Sequence, residues 1–177
     1  MTEIFTIGHS TRSIEQFIEL LKRNDVQQLV DIRTIPRSRH NPQFEQTALE
    51  QSLPANGIAY TYLKELGGLR SKAELSVNAG WRNKSFRNYA DYMQTVDFSN
   101  GIEELLDLAR EKTTAIMCAE AVPWRCHRSL VGDALLVRGY SVRDIMSETS
   151  TKEHTLTSFA VVDGVTLTYP AYDTKES

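Results

Sequence analysis

Between Cys118 and Arg128 the chain places both of its cysteines, one of its four histidines, a glutamate and two arginines within eleven residues, Cys118-Ala-Glu-Ala-Val-Pro-Trp-Arg-Cys-His-Arg128. Thiolates are nucleophiles and redox centres, carboxylates move protons, and arginine's planar fork holds phosphates and carboxylates. An apolar run, Thr114 to Cys118, leads into this stretch, and an amphipathic run, Ser129 to Arg138, leaves it. That order predicts strand, loop and helix, the helix running from about Trp124 to Arg138. Thiols, carboxylate and cations then gather at a helix N-terminus, Cys126 in its first turn, where backbone N–H groups and the helix dipole favour anions and thiolates.

The rest of the chain must position this stretch. Residues 3–8 read as a strand stopped by Gly8. Ser13 is a good N-cap for a helix whose apolar residues Ile14, Phe17, Ile18, Leu20 and Leu21 recur at helical spacing. Val26 to Ile32 is a second strand, followed by a proline-bounded loop, Arg33 to Pro42. A helix from about Phe44 to Leu53 ends at Pro54 and Gly57, and Ile58 to Leu63 is a third strand. A long polar segment runs from Lys64 to about Ser85. Helices are expected over Phe86–Met93 and Gly101–Lys112, with a break near Ser99-Asn100, and strands over Thr114–Cys118 and Val142–Met146. Thr155–Val162, Asp163-Gly164 and Val165–Tyr169 form a hairpin pattern.

Alternating strands and helices imply a single α/β domain, a mainly parallel Rossmann-like sheet flanked by helices with a C-terminal β-hairpin. Residues 1–150 carry the site, and 151–177, the hairpin and tail, belong to the same domain. Ligands of such sheets bind beyond the carboxyl ends of the strands. Gly8-His9-Ser10, Asp31-Ile32-Arg33 and Cys118-Ala119-Glu120 are therefore expected at one edge.

The bulk numbers set bounds. The chain has 177 residues, 41% hydrophobic and 24% charged, ordinary for a soluble protein. Its apolar runs are strand-sized, so no membrane span is expected, and Met-Thr-Glu-Ile-Phe lacks the look of a secretory signal. Two cysteines with seven residues between them make a poor structural framework, which points to a reducing, cytoplasmic setting. A net charge of −3 argues against gross attraction to polyanions. Residues 64–87 nevertheless carry six cations against two acids, and Arg33, Arg37, Arg39 and His40 have no acid among them.

The combination Thr6-Ile-Gly-His-Ser10, Val30-Asp-Ile-Arg33 with Pro36-Arg-Ser-Arg39, Tyr62-Leu-Lys-Glu-Leu-Gly-Gly68, and Cys118-Ala-Glu with Cys126-His-Arg128 resembles the domain-of-unknown-function 488 family. The resemblance runs from Thr6 to about Ile145 and implies a small soluble α/β protein without an assigned activity. Asp144 stands where the family pattern has histidine. The order of Cys118 and Arg125 is also similar to that in cysteine phosphatases and rhodaneses. Here the gap is one residue longer than the phosphatase signature, Pro123 lacks an N–H, and Glu120 adds negative charge to the cradle.

These residues support an enzyme acting on an anionic, nucleotide or nucleic-acid substrate. Glu120, Cys118, Asp31 and His9 are the catalytic candidates. Ser10, Arg33, Arg37, Arg39, Arg125, His127 and Arg128 are the candidates for holding an anion or substrate. No metal ligand set and no cofactor is assigned, and the sequence leaves the oligomeric state open. Plainer accounts compete: Cys118 as a small buried residue, and Asp31 with Arg33 or Arg128 as a salt-bridge cluster. A thiol redox or metal-binding protein would use Cys118, Cys126 and His127. A non-catalytic nucleic-acid-binding module would use Trp81, Arg82, Lys84 and Arg87. His40 and His154 are expected at the surface.

Overall fold

In the computed structural model, which describes residues 2–171, each central strand alternates its side chains between two apolar layers. β1 (Glu3–Gly8), β2 (Gln28–Asp31), β3 (Ala59–Tyr62), β4 (Thr114–Cys118) and β5 (Ser141–Ile145) run parallel in the order β3-β2-β4-β1-β5. β6 (Thr151–Glu153) closes the edge antiparallel to β5. Ile4, Val30 and Ile116 face one layer, and Phe5, Ile7, Leu29, Ala115 and Met117 face the other. Burial on both faces explains why these strands read as near-continuous apolar runs.

The second layer is covered by α1 (Ile14–Arg23) and α2 (Gln46–Ala55), through Phe17, Leu20, Leu21, Leu49 and Leu53. The first is covered by α3 (Lys84–Tyr92), α4 (Val96–Glu111) and α5 (Arg128–Leu136), through Tyr89, Ile102, Leu105, Leu130 and Leu135. Ser13 caps α1 as expected, and the structure adds a reciprocal bond from the Ser13 backbone N–H to the Gln16 side chain that completes a capping box. The architecture is thus the expected α/β sheet flanked by helices, with a C-terminal hairpin.

Four local expectations are corrected. α4 is unbroken through Ser99 and Asn100, capped instead by Thr95, whose hydroxyl accepts from Phe98 N. Gly101 sits inside it because a Cβ there would come within 3.0 Å of Glu65 and Leu66, so close packing, not helix breaking, explains the glycine. The stretch after Pro123 forms a 3-10 turn, Pro123–Arg125, and Cys126 is extended (φ −134°, ψ 144°), so this cysteine precedes α5 and does not stand in its first turn. The sequence hairpin is shorter than expected, β7 (Val161–Asp163) and β8 (Thr166–Thr168), turning at Gly164 with φ 63°. β6, which carries no apolar residue, was not expected at all. The tail at 172–177 lies outside the described residues. Among those described, no helix is long and apolar enough to cross a membrane.

Candidate functional site

The carboxyl ends of β1, β2 and β4 finish level with one another: Gly8 is opposite Cys118, and Asp31 is opposite Met117. The chain beyond them is pinned by His9 N to Cys118 O at 2.9 Å, Ser10 N to Ala119 O at 2.9 Å and Ile32 N to Met117 O at 3.0 Å. Gly8 is required here. A Cβ at that position would lie 1.6 Å from the Glu120 carbonyl oxygen, so only glycine lets the chain after β4 fold over the end of β1.

A cleft of about 510 Å³ opens at this edge. Cys118 and Cys126 lie at its base, both buried, and their sulfurs are joined as a disulfide. Glu120, Arg37 and Arg125 line its sides and are exposed, as is Ile35. Phe86, from the first turn of α3, and Leu69 supply further apolar wall.

His127 also lines the cleft. Its Nε2 lies 2.8 Å from Ile32 O, which fixes that nitrogen as the donor and leaves Nδ1 with a lone pair, 3.5 Å from Cys126 Sγ. Burial lowers its pKa to about 4, so the ring is a neutral base at ordinary pH. Gly68 packs flat against it, since a Cβ there would come within 2.5 Å of Nδ1, and the Tyr89 ring meets it edge-on at 5.0 Å.

Arg128 lies beneath the cysteines and is fully buried. Its Nη1 donates to Cys118 Sγ at 2.8 Å and to the Glu120 carbonyl, its Nε to Thr6 Oγ1 at 3.2 Å, and its Nη2 to Ala121 O at 3.1 Å. Its backbone N–H points at Cys126 Sγ, 3.4 Å away. Burial pulls the guanidinium pKa down to about 10.

Asp31, Arg33 and His9 form a buried group behind the cleft. Arg33 grips Asp31 with Nε at 2.9 Å and Nη2 at 2.7 Å, Tyr60 Oη donates to the same carboxylate at 2.6 Å, and Phe44 O takes a further Arg33 bond at 2.8 Å. Burial and the Asp31 charge raise the Tyr60 pKa. His9 stacks on Phe44 with centroids 4.4 Å apart, and its Nδ1 donates to Ser10 O at 2.8 Å. Its Nε2 therefore accepts from Arg33 Nη1 at 3.5 Å, and burial lowers its pKa. Arg33 keeps an edge on the cleft. Ser10, at φ 49°, turns the chain behind it.

Of the candidates, Cys118, Glu120, Arg33, Arg37, Arg125 and His127 thus share the cleft. His9, Ser10, Asp31 and Arg128 stand behind it, and Arg39 is exposed elsewhere. His154, expected at the surface, is instead held between Asp133 at 2.9 Å and Asp144 at 3.6 Å. Thr6 donates to Asp144, which joins this cluster to Arg128. The sequence marks Asp144 only as a departure from the family pattern and gives Asp133 no role, although an acid within the apolar Ser129–Leu136 and Val142–Ile145 runs is itself a signal. Gly68 is marked in the sequence only as the end of the Tyr62–Gly68 motif, and Phe86 only as the start of a helix. Among the described residues no group of three or more histidine, cysteine, aspartate or glutamate side chains is arranged to hold a metal ion.

Neither a curated protein nor a solved structure matches the chain. A family match does exist, to Domain of unknown function DUF488, over residues 13–135, from the start of α1 to the last turns of α5. That span holds the whole Cys118–Arg128 segment, and most of the chain. On this match the chain belongs to the DUF488 family.

Proposed function

We propose that the chain is an enzyme, a hydrolase or transferase, that acts on an anionic, nucleotide-like substrate in the cleft between the ends of β1, β2 and β4. The observation that carries this reading is the sharing of one cleft by two cysteine sulfurs, an exposed carboxylate and two exposed arginines. Among the described residues neither Arg37 nor Arg125 is held in an ion pair. Their forks suit the phosphate or carboxylate groups of a ligand. Phe86, Ile35 and Leu69 offer a wall against which a base can lie. Glu120 is placed to move a proton, and a reduced cysteine beside the neutral His127 to act as nucleophile. A reducing, cytoplasmic compartment would keep the cysteines in that form.

The test is turnover by the reduced protein of a panel of mononucleotides and short single-stranded oligonucleotides. Glu120→Gln abolishes turnover while the fold survives, because the side chain is exposed. Unchanged turnover in that variant removes the carboxylate mechanism. A second reading rests on Lys72, Lys84 and Arg87, which share a separate cavity of about 290 Å³ beside α3. A non-catalytic nucleic-acid-binding module would use them, with binding that falls steeply with salt and ignores Glu120.

A further inference from the structure

Arg128 takes a positive charge into the interior without a carboxylate in direct contact, Asp144 and Glu120 acting on it only from further away. Among the described residues no carboxylate oxygen lies within 4.0 Å of its guanidinium. Its donors end on neutral oxygens of Thr6, Glu120 and Ala121, and on one atom that can become an anion, Cys118 Sγ at 2.8 Å. A buried cation is strongly disfavoured without a counter-ion. As half of a disulfide, Cys118 is uncharged and cannot serve. As a thiolate it is the missing counter-ion, so reduction relieves the buried charge.

We infer that Cys118 and Cys126 form a reactive thiol–disulfide couple, with Cys118 the thiolate held by Arg128, and that the couple exchanges with small anionic thiols in the cleft. This goes beyond the proposed turnover and does not depend on it. The direction of attack follows from the two environments. Both cysteines line the cleft, and the sulfur with the lower pKa leaves faster, so an incoming thiolate attacks Cys126. The small-molecule S–Cys126 bond forms, the Cys126–Cys118 bond breaks, and its electron pair leaves on Cys118 beside Arg128. A second small thiolate then attacks the small-molecule sulfur of the mixed disulfide, and Cys126 leaves and takes a proton, for which His127 Nδ1 at 3.5 Å is the adjacent relay. Two small thiols become one small disulfide, giving up two electrons and two protons. The protein gains both electrons and one proton, on Cys126, and the other proton goes to solvent. A small-molecule disulfide drives the reverse.

The charged and titratable groups around the couple are Arg128 and His127 at the start of α5, Glu120 and Arg125 before it, Arg33 after β2, and Arg12 and Asp144, which act on Arg128. Arg37 and Arg125 on the cleft walls select a thiol that carries carboxylates.

The test alkylates the reduced full chain with iodoacetamide across about pH 5 to 10, reading each cysteine by peptide mass spectrometry. The Cys118 midpoint falls below about 7, against about 8.5 for an ordinary thiol, and Arg128→Met raises it by about one unit or more. The midpoint is read, not the rate, because a thiolate of lower pKa is also less nucleophilic. A wild-type Cys118 midpoint at about 8.5 or above overturns the inference, whether or not Arg128→Met folds. For the anionic thiol, the double variant Arg37→Ala, Arg125→Ala slows reduction by glutathione about tenfold more than reduction by 2-mercaptoethanol. Equal slowing of both overturns that part. No nucleotide enters either experiment, so failure here and failure of the proposed turnover are read separately.

Discussion

Substituting His154 tests whether the C-terminal segment is fastened to the sheet by charge. The imidazole is only 9% exposed, with Asp133 Oδ1 at 2.9 Å from Nε2 and Asp144 Oδ2 at 3.6 Å from Nδ1. Burial alone would discharge it, but the hydrogen bonds and charges of the two aspartates outweigh burial and raise its pKa to about 9 from an ordinary 6.5. A difference of about 2.5 units corresponds to about 3 kcal/mol, a large share of a domain's total stability. Because the folded-state pKa is the higher one, that contribution is complete below pH 6.5, declines as pH rises from 6.5 to about 9, and is gone above it. Urea denaturation at about pH 6, 7.5 and 9.5 is the assay. The wild type loses about 3 kcal/mol more than His154→Gln across that range, and the variant is already weaker at about pH 6, where two buried carboxylates face each other without a cation. Parallel pH profiles for the two proteins, or a wild type that gains stability over this window, would refute the argument.

Other perturbations probe the groups behind the cleft. Asp31→Asn leaves Arg33 buried without its counter-charge, and urea denaturation should show a loss of about 3–5 kcal/mol. Glu120→Gln, at an exposed position, changes stability by less than about 0.5 kcal/mol in the same assay, so any loss of turnover is chemical and not structural. Gly8→Ala drives a Cβ into the Glu120 carbonyl and costs about 3 kcal/mol, read as a lowered urea midpoint.

Much of the frame was legible because it rests on local patterns. The apolar runs ending at Gly8 and Cys118 gave strands at those residues, and Ser13 before the helical spacing of Ile14, Phe17 and Leu21 marked the start of α1. Alternation of strand and helix then brought the ends of β1, β2 and β4 to one edge. Where expectation failed, a distant partner overrode the local signal. Ser99-Asn100 read as a break before a helix starting at Gly101, yet α4 runs through all three, and Gly101 is small because the Glu65–Leu66 turn packs on it. β6 has no apolar pattern and exists through its pairing with β5. Cys126 sat in an apparent helical run, but the turn at Pro123–Arg125 ends before it and leaves it extended, facing Cys118.

By itself the amino-acid order determined most of the strands and helices and which residues carry reactive groups, since propensity, capping and apolar period act over a few neighbours. Only the tertiary structure decided which of those groups are neutral, paired or open to a ligand. His154 became a buried cation, His127 a neutral base, and Arg128 a charge whose nearest potential anion is a cysteine. The reason is electrostatic: a side chain's charge depends on the burial and partners that surround it, and those partners come from Thr6, Ile32, Asp133 and Asp144, far apart along the chain.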